Sequence, residues 1–178
     1  EFVRGCRRLD VDPVAFYGLR ERHGARLAID RLAVGSRTLY DVSSLGELAE
    51  RYPLGVVSNN YQDVVRFVID HHRLDAFDHV RGRATGVDGF YNRKPNPHYL
   101  LEAMSELDAA DGLYVGDRAT DVLAATRAGL ESVFVERPYN ENAALPVEPT
   151  LCVESIADLV ERLTDIEESV PRPPVDGS

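Results

Sequence analysis

The spacing of hydrophobic residues changes near residue 54. Over 13–34, apolar residues recur every three or four positions, which is the spacing of an amphipathic helix. Asp12 suits the N-cap of that helix and Pro13 its first position, although two internal glycines argue against one unbroken helix. After residue 54, short apolar runs alternate with amphipathic stretches. This alternation is typical of right-handed βαβ units and predicts an α/β fold, a Rossmann-like parallel sheet flanked by helices.

The same pattern assigns an element to most of the chain. It predicts strands at 54–57, 79–81, 112–115, 132–135 and 150–153. It predicts helices at 44–52, 61–72, 97–107, 120–128 and 156–163, the first of them opened by a capping-box sequence at 44–47. We divide the chain into a partial helical cap at 1–38, an α/β core at 39–164 and a proline-rich, disordered tail at 165–178.

The composition indicates an acidic globular protein with one domain and room for a small appended piece. The chain has 178 residues, of which 44% are apolar, and a formal net charge of −10. This charge argues against nucleic acid and membrane surfaces as partners. The apolar runs are too short to cross a bilayer, and no signal-peptide pattern opens the chain. Because Cys6 and Cys152 lack metal-ligand spacing, we expect a reduced, cytoplasmic protein.

Lysine is almost absent from the chain. Of 20 basic residues only Lys94 is a lysine, and it lies in the sequence Arg-Lys-Pro-Asn-Pro. The prevalence of arginine together with acidic charge is typical of salt-loving microbes. An ammonium is a compact charge that suits phosphate or carboxylate oxygens in a tight pocket, and the two prolines would stiffen its loop. The alternative is a surface lysine without a role.

Polar residues follow the first predicted strand. Ser58, Asn59 and Asn60 come directly after the apolar run and before a helix. Ligands of open α/β sheets bind beyond the carboxyl ends of the strands, and a hydroxyl and an amide beside a helix N-terminus form a neutral cradle for an anion. The simpler interpretation is that Ser58 and Asn60 only cap the helix.

Two carboxylates follow the strand predicted at 112–115. Asp117 and Asp121 are four residues apart, so they share one face at the start of the next helix. Carboxylate oxygens suit Mg²⁺, which binds few protein groups and keeps its waters. The alternative is that the two residues only complement the helix dipole.

Together these motifs resemble a known family. A strand followed by Ser-Asn-Asn, then Lys-Pro, then Gly-Asp-x-x-x-Asp-Val-x-x-Ala-x-x-Ala-Gly resembles motifs two, three and four of the haloacid dehalogenase (HAD) superfamily. The resemblance covers about 39–163 and is closest to the phosphoglycolate-phosphatase-like branch, whose members insert a helical cap after the first strand. It implies a Mg²⁺-dependent phosphatase that acts on a small phosphorylated metabolite.

The resemblance also implies roles for particular residues. Ser58 would bind the transferring phosphoryl group with Asn59 beside it, and Lys94 would neutralise the charge of that group. Asp117 would ligate Mg²⁺, and Asp121 would support the metal or its water. These roles agree with the chemistry, because phosphoryl transfer depends mostly on positioning and electrostatic stabilisation.

The family's first motif, an Asp-x-Asp after an N-terminal strand, has only one imitation in this chain. Asp10-Val11-Asp12 follows arginines instead of an apolar strand, and Pro13 follows it, so we interpret it as a helix start within the cap. We therefore expect the nucleophile and its strand, which is central to the sheet in the family, to be absent from this sequence. The chain by itself is then expected to be inactive.

Two other functions remain open at this point. A non-catalytic HAD-like protein could bind a phosphate ligand or a partner without turnover. A 2-haloacid dehalogenase would share the fold but needs no metal, so the Asp117/Asp121 pair argues against it.

Overall fold

The computed structural model describes residues 2–35 and 42–169. Three helices come first in the chain: α1 (Phe2–Arg8), α2 (Pro13–Ala33) and α3 (Leu45–Arg51). The core follows with β1 (Gly55–Tyr61), α4 (Gln62–His72), β2 (His79–Arg83), α5 (Val87–Asn92), α6 (His98–Glu106), β3 (Leu113–Gly116), α7 (Ala119–Ala128), β4 (Glu131–Val135), β5 (Leu151–Val153) and α8 (Ile156–Ser169). The predicted α/β fold class is therefore confirmed.

Helix α2 is continuous despite its two internal glycines. Its N-cap is Asp12, whose Oδ1 accepts a hydrogen bond of 2.7 Å from Ala15 N, and Pro13 occupies the first helical position. The interpretation of Asp12 as a helix start is therefore confirmed. Helix α3 forms where the capping box predicted it, but Ser44 has helical dihedral angles and makes no capping hydrogen bond. A hydroxyl on a residue that is already helical is poorly placed to reach the first free N–H groups of the helix. The predicted capping box at 44–47 is therefore wrong.

The strands of the described residues form two parallel sheets, with the orders β1-β2 and β3-β4-β5. The apolar pattern predicted a single parallel sheet, with the strands at 54–57, 112–115 and 132–135 in it; the structure separates β1 from β3 and β4, so that prediction is wrong. Between β1 and β3 the connection is made by side chains: the Val57 carbonyl accepts hydrogen bonds from Lys94 Nζ and from Tyr114 Oη. On sequence grounds, the central strand of the family is expected to be absent. The lack of pairing between β1 and β3 agrees with that expectation.

The buried side chains form two clusters, and β3 packs against both, through Tyr114 against the first and through Val115 against the second. One cluster, which includes Val57, Tyr99 and Leu100, packs α6 and α7 against β1. The other, which includes Val133, Val153 and Leu159, packs α8 against β4 and β5. Burial of apolar side chains on both sides holds the strand ends, where the polar motifs lie, in fixed positions.

Two helices differ from the pattern-based prediction. Helix α5 was not predicted; it is short and contains Gly89, where a Cβ would lie 1.8 Å from the carbonyl oxygen of Ala84. Helix α8 continues to Ser169, so the tail predicted to be disordered from residue 165 is helical at its start. The rest of that predicted tail, 170–178, lies outside the described residues. In the described part of the chain, no helix is both long enough and apolar enough to span a membrane.

Candidate active site at the strand ends

The end of β1 carries Ser58 and Asn60, as predicted, but both lie within the strand and not after it. Ser58 Oγ accepts a hydrogen bond of 3.1 Å from Asn60 N. Ser58 and Asn60 also line a mostly apolar groove of about 300 Å³ between β1, α3 and α4. Ser58 therefore lines the groove, and its hydroxyl is hydrogen-bonded to Asn60 N of the same strand.

Asn59 joins the end of β1 to the loop that carries the single lysine. Its Nδ2 donates to the Lys94 carbonyl at 3.0 Å, and its Oδ1 accepts from Lys94 N at 2.8 Å. The same loop is held from α7, because Arg127 Nη1 donates to the Pro95 carbonyl at 2.9 Å. Both ends of the Asn59 amide are therefore engaged with backbone. In this arrangement its role is to position Lys94, and its predicted contact with substrate remains a prediction.

The side chain of Lys94 is buried and surrounded by oxygen atoms. Its ammonium donates to the Val57 carbonyl at 3.0 Å and to the Tyr114 hydroxyl, and it lies 2.8 Å from Asp121 Oδ1. Only 9% of the residue is exposed. The lone lysine of the chain is therefore not a surface residue. It is a fixed cation between the end of β1 and the start of α7.

The surroundings of Lys94 keep it charged. Burial by itself would lower its pKa, but the neighbouring Tyr114 oxygen and the Asp121 carboxylate raise that pKa above its usual value. Burial raises the pKa of the Tyr114 phenol, so this group stays neutral at physiological pH. A protonated ammonium, a neutral phenol and a carboxylate thus form one connected group.

Both oxygens of the Asp121 carboxylate contact other groups of the chain. Its Oδ1 pairs with Lys94, its Oδ2 accepts from Arg118 N at 3.0 Å, and 6% of the residue is exposed. Gly116 allows this close packing, because a Cβ on Gly116 would lie 2.4 Å from the Asp121 Cβ. Asp121 therefore acts as the counter-ion of Lys94, and from the third position of α7 it accepts a hydrogen bond from the backbone of the N-cap residue Arg118. The predicted role of Asp121 toward a metal stays a prediction.

Asp117 is the more accessible carboxylate. It follows β3 directly, and 40% of its side chain is exposed. Its Oδ2 accepts a hydrogen bond from the Tyr139 hydroxyl, and Arg118 Nε lies 3.9 Å from its Oδ1. Among the described residues no three His, Cys, Asp or Glu side chains gather as a metal site. Asp117 therefore offers one partly exposed carboxylate, whereas Mg²⁺ sites in proteins use one or two carboxylates together with waters and substrate phosphates. Its predicted role as a metal ligand stays a prediction.

A second polar cluster joins α2 to the loop after β2. The Glu21 side chain is fully buried. Its Oε1 pairs with Arg83 Nη2 at 2.7 Å, and its Oε2 accepts from Gly86 N at 2.6 Å. From the core side, Tyr99 Oη accepts from Ala84 N at 3.0 Å. Burial by itself would raise the pKa of Glu21, but the hydrogen bonds from Arg83 and Gly86 lower it below its usual value.

The structure also shows where Asp10-Val11-Asp12, the sequence that resembles the first motif, lies. Asp10 has φ of 52° and sits between α1 and α2, while Asp12 caps α2. Neither residue follows a strand. The interpretation of this motif as part of the helical segment is confirmed.

Sequence reasoning missed three residues that complete the arrangement. Tyr114 lies within β3, a strand predicted from its apolar residues. An aromatic residue in such a strand is expected to pack in the core, so its polar contacts were not predicted. Tyr139 and Asn140 follow β4 and contact Asp117. The rule that flagged Ser58 and Asp117, polar residues at the end of a strand, applies equally to this loop and would have found them.

Known proteins match the sequence and the fold. A family model described as haloacid dehalogenase-like hydrolase matches residues 41–135, just over half of the chain. The chain is 32% identical over 124 residues to phosphoglycolate phosphatase of Escherichia coli, a match that covers 67% of this chain and 48% of that protein. The chain therefore spans about half the length of this curated relative.

Two solved structures share the architecture. A HAD-superfamily hydrolase from Ehrlichia chaffeensis aligns with a TM-score of 0.58 and 22% identity, covering 73% of this chain and 60% of its own. A 2-haloacid dehalogenase from Pseudomonas syringae aligns with a TM-score of 0.55 and 23% identity, covering 69% of this chain and 51% of its own. At these identities the likeness concerns the fold alone. With the family model and the strand-end motifs, the conclusion is that this chain belongs to the haloacid dehalogenase-like hydrolase family.

Proposed function

We propose that the protein is a Mg²⁺-dependent phosphatase that hydrolyses a small phosphorylated metabolite. The observation that carries the proposal is the buried, charged Lys94, held at the end of β1 by Asn59 and paired with Asp121 at the start of α7. A phosphomonoester is a dianion, and its transfer among carboxylates needs a fixed cation. The similarity to a phosphoglycolate phosphatase supports the same chemistry.

Each residue has a role in this proposal. Ser58 donates its hydroxyl to the phosphoryl oxygens, and Lys94 offsets their negative charge. Asn59 keeps the lysine loop against β1, so the ammonium stays in place without rearrangement during the reaction. Asp117 holds the metal, which would supply further charge neutralisation when bound. Asp121 keeps Lys94 protonated.

The attacking carboxylate is not assigned to a described residue. Asp10 lies between α1 and α2, and Asp12 caps α2, so neither residue follows a strand. We propose that the nucleophile belongs to a strand between β1 and β3 that lies outside the described residues. The two separate sheets and the coverage of about half of the curated relative support this proposal.

The test is hydrolysis of a panel of phosphomonoesters, phosphoglycolate included, by the full-length protein with and without Mg²⁺. We expect Mg²⁺-dependent release of phosphate that Asp117→Asn abolishes. Asp111→Asn is the matched control, because Asp111 is exposed and precedes β3, and it should keep its activity. Release of halide from 2-chloropropionate without metal, and no release of phosphate, would favour a dehalogenase instead. Phosphate binding without any turnover would favour a non-catalytic protein.

A further inference from the structure

Helix α2 lies on the core without burying a large apolar side chain. Of its 21 residues, only Glu21 and Ala25 are buried. A helix that docks through the hydrophobic effect buries a stripe of large apolar residues. In α2 several of these residues are exposed instead: Val14, Phe16, Leu19 and Leu27. The centre of the contact between α2 and the core is therefore a carboxylate.

The partners of this carboxylate lie at the ends of two strands. Arg83 is the last residue of β2; its Nη2 pairs with Glu21 Oε1 at 2.7 Å, and only 10% of its side chain is exposed. Tyr61 is the last residue of β1 and lies opposite Arg83 in the parallel pairing. Its hydroxyl donates to Glu21 Oε1 at 3.5 Å, and its ring lies under the Arg83 guanidinium at 4.2 Å. One side chain of α2 thus contacts both strands of this sheet at their carboxyl ends.

Small residues on the same face of α2 bring its backbone close to the core. Gly24 and Ala25 follow Glu21 by three and four positions, so the three residues share one face. A Cβ added to Gly24 would lie 3.8 Å from the Tyr61 ring, so the ring packs directly against the helix. On the other side, Glu21 Oε2 accepts from Gly86 N, the N-cap residue of α5, at 2.6 Å. Few apolar contacts remain on this face to hold the helix without the ion pair.

We propose that Glu21 and Arg83 form a latch that holds α2 on the ends of β1 and β2, and that α2 leaves the core when the latch is broken while the sheets stay folded. The inference does not depend on a metal or on the phosphatase activity. Because α2 lies against the carboxyl ends of β1 and β2, the latch decides whether this edge of the sheet is covered.

The separation of α2 from the core follows from the charges and the packing. When one partner of a buried ion pair is removed, the other is left buried without compensation. Undocking of α2 avoids this cost for Arg83, because it returns the guanidinium to water. The two clusters of buried side chains that hold the sheets are built from residues outside α2. The core therefore keeps its own packing when α2 leaves.

The experiment is hydrogen–deuterium exchange of the chain at neutral pH, followed for separate peptides by mass spectrometry. The variants are Glu21→Gln, Arg83→Met and the double variant, and the matched control is Asp30→Asn, which changes an exposed acid of the same helix. Helices in proteins owe most of their stability to packing, so an undocked α2 exchanges its amides rapidly.

We expect both single variants to raise the exchange rate in α2 by about 10-fold or more and to leave β4 and α7 unchanged. The double variant should exchange no faster in α2 than the faster single variant, because the two residues act as one pair. Asp30→Asn should behave as the unchanged chain.

Two outcomes would overturn the inference. Unchanged exchange of α2 in Glu21→Gln would show that other contacts hold the helix. An equal rise of exchange in α2, β4 and α7, or a variant that fails to fold, would show that the ion pair supports the whole fold and is not a latch for one helix. Neither outcome bears on the proposed phosphatase activity, which is tested by release of phosphate.

Discussion

The ammonium of Lys94 and the carboxylate of Asp121 form an ion pair of 2.8 Å between two side chains that are each less than a tenth exposed. The pair joins the loop after α5 to the first turn of α7. Because burial removes both groups from water, the opposite charge of each partner offsets the hydration that the other has lost.

The first prediction is that Asp121→Asn strongly destabilises the chain. The amide keeps an oxygen for Arg118 N but leaves the buried ammonium without its counter-charge, at a cost of about 3–5 kcal/mol. Urea unfolding followed by circular dichroism measures the difference. Asp158→Asn removes the acid of an exposed pair with Arg162 and should change stability little. Equal stability of the two variants would contradict the prediction.

The second prediction concerns the glycine beneath this pair. In Gly116→Ala the new methyl group meets the Asp121 Cβ at 2.4 Å, so Asp121 must move away from Lys94. We expect a loss of about 1–3 kcal/mol, the usual cost of overpacking. Gly46→Ala is the control: its Cβ meets nothing within 4 Å, and it lies within α3, so it should stabilise the chain slightly. Thermal unfolding of both variants gives the comparison, and the two shifts should have opposite signs.

The third prediction is that Lys94→Arg fails as a catalyst in the full-length protein. The ammonium fits between the Val57 carbonyl, the Tyr114 hydroxyl and the Asp121 carboxylate, whereas a guanidinium is a wider planar fork. We expect turnover to fall by about 100-fold or more. Arg93→Lys exchanges the same two residue types at the neighbouring position and should keep its turnover. Near-normal turnover of Lys94→Arg would make the lone lysine an accident of composition.

The fourth prediction concerns acid stability through Glu21. Its pKa is lowered in the folded state, so the stability it contributes is fully present above its unfolded value of 4.5 and is lost as pH falls through the lower, folded value. Glu21→Gln should therefore be less stable than the unchanged chain at neutral pH, and the difference should shrink below pH 4.5. Asp30→Asn, an exposed position on the same helix, should show no such convergence. Urea unfolding across pH 3–7 tests this.

The pattern of apolar residues was sufficient for the positions of most strands and helices of the core. It placed the end of β1 too early, because Ser58, Asn59 and Asn60 are polar although they belong to the strand. It missed α5, a short helix in which Gly89 lies close to the backbone of Ala84. It also joined β1 and β3 in one sheet. Periodicity shows which face of a strand is buried but does not show which strand lies beside it.

The sequence by itself determined the fold class and the family, and it singled out the candidate site residues. No structure was needed to notice the single lysine, the serine after an apolar run and the two aspartates four residues apart. Only the tertiary structure decided what those residues contact. Asn59 meets the backbone of Lys94 across 35 positions of the chain, and Tyr139 meets Asp117 across 22. Such pairs form because packed strands and helices bring their ends together, and the spacing of residues along the chain does not encode that distance.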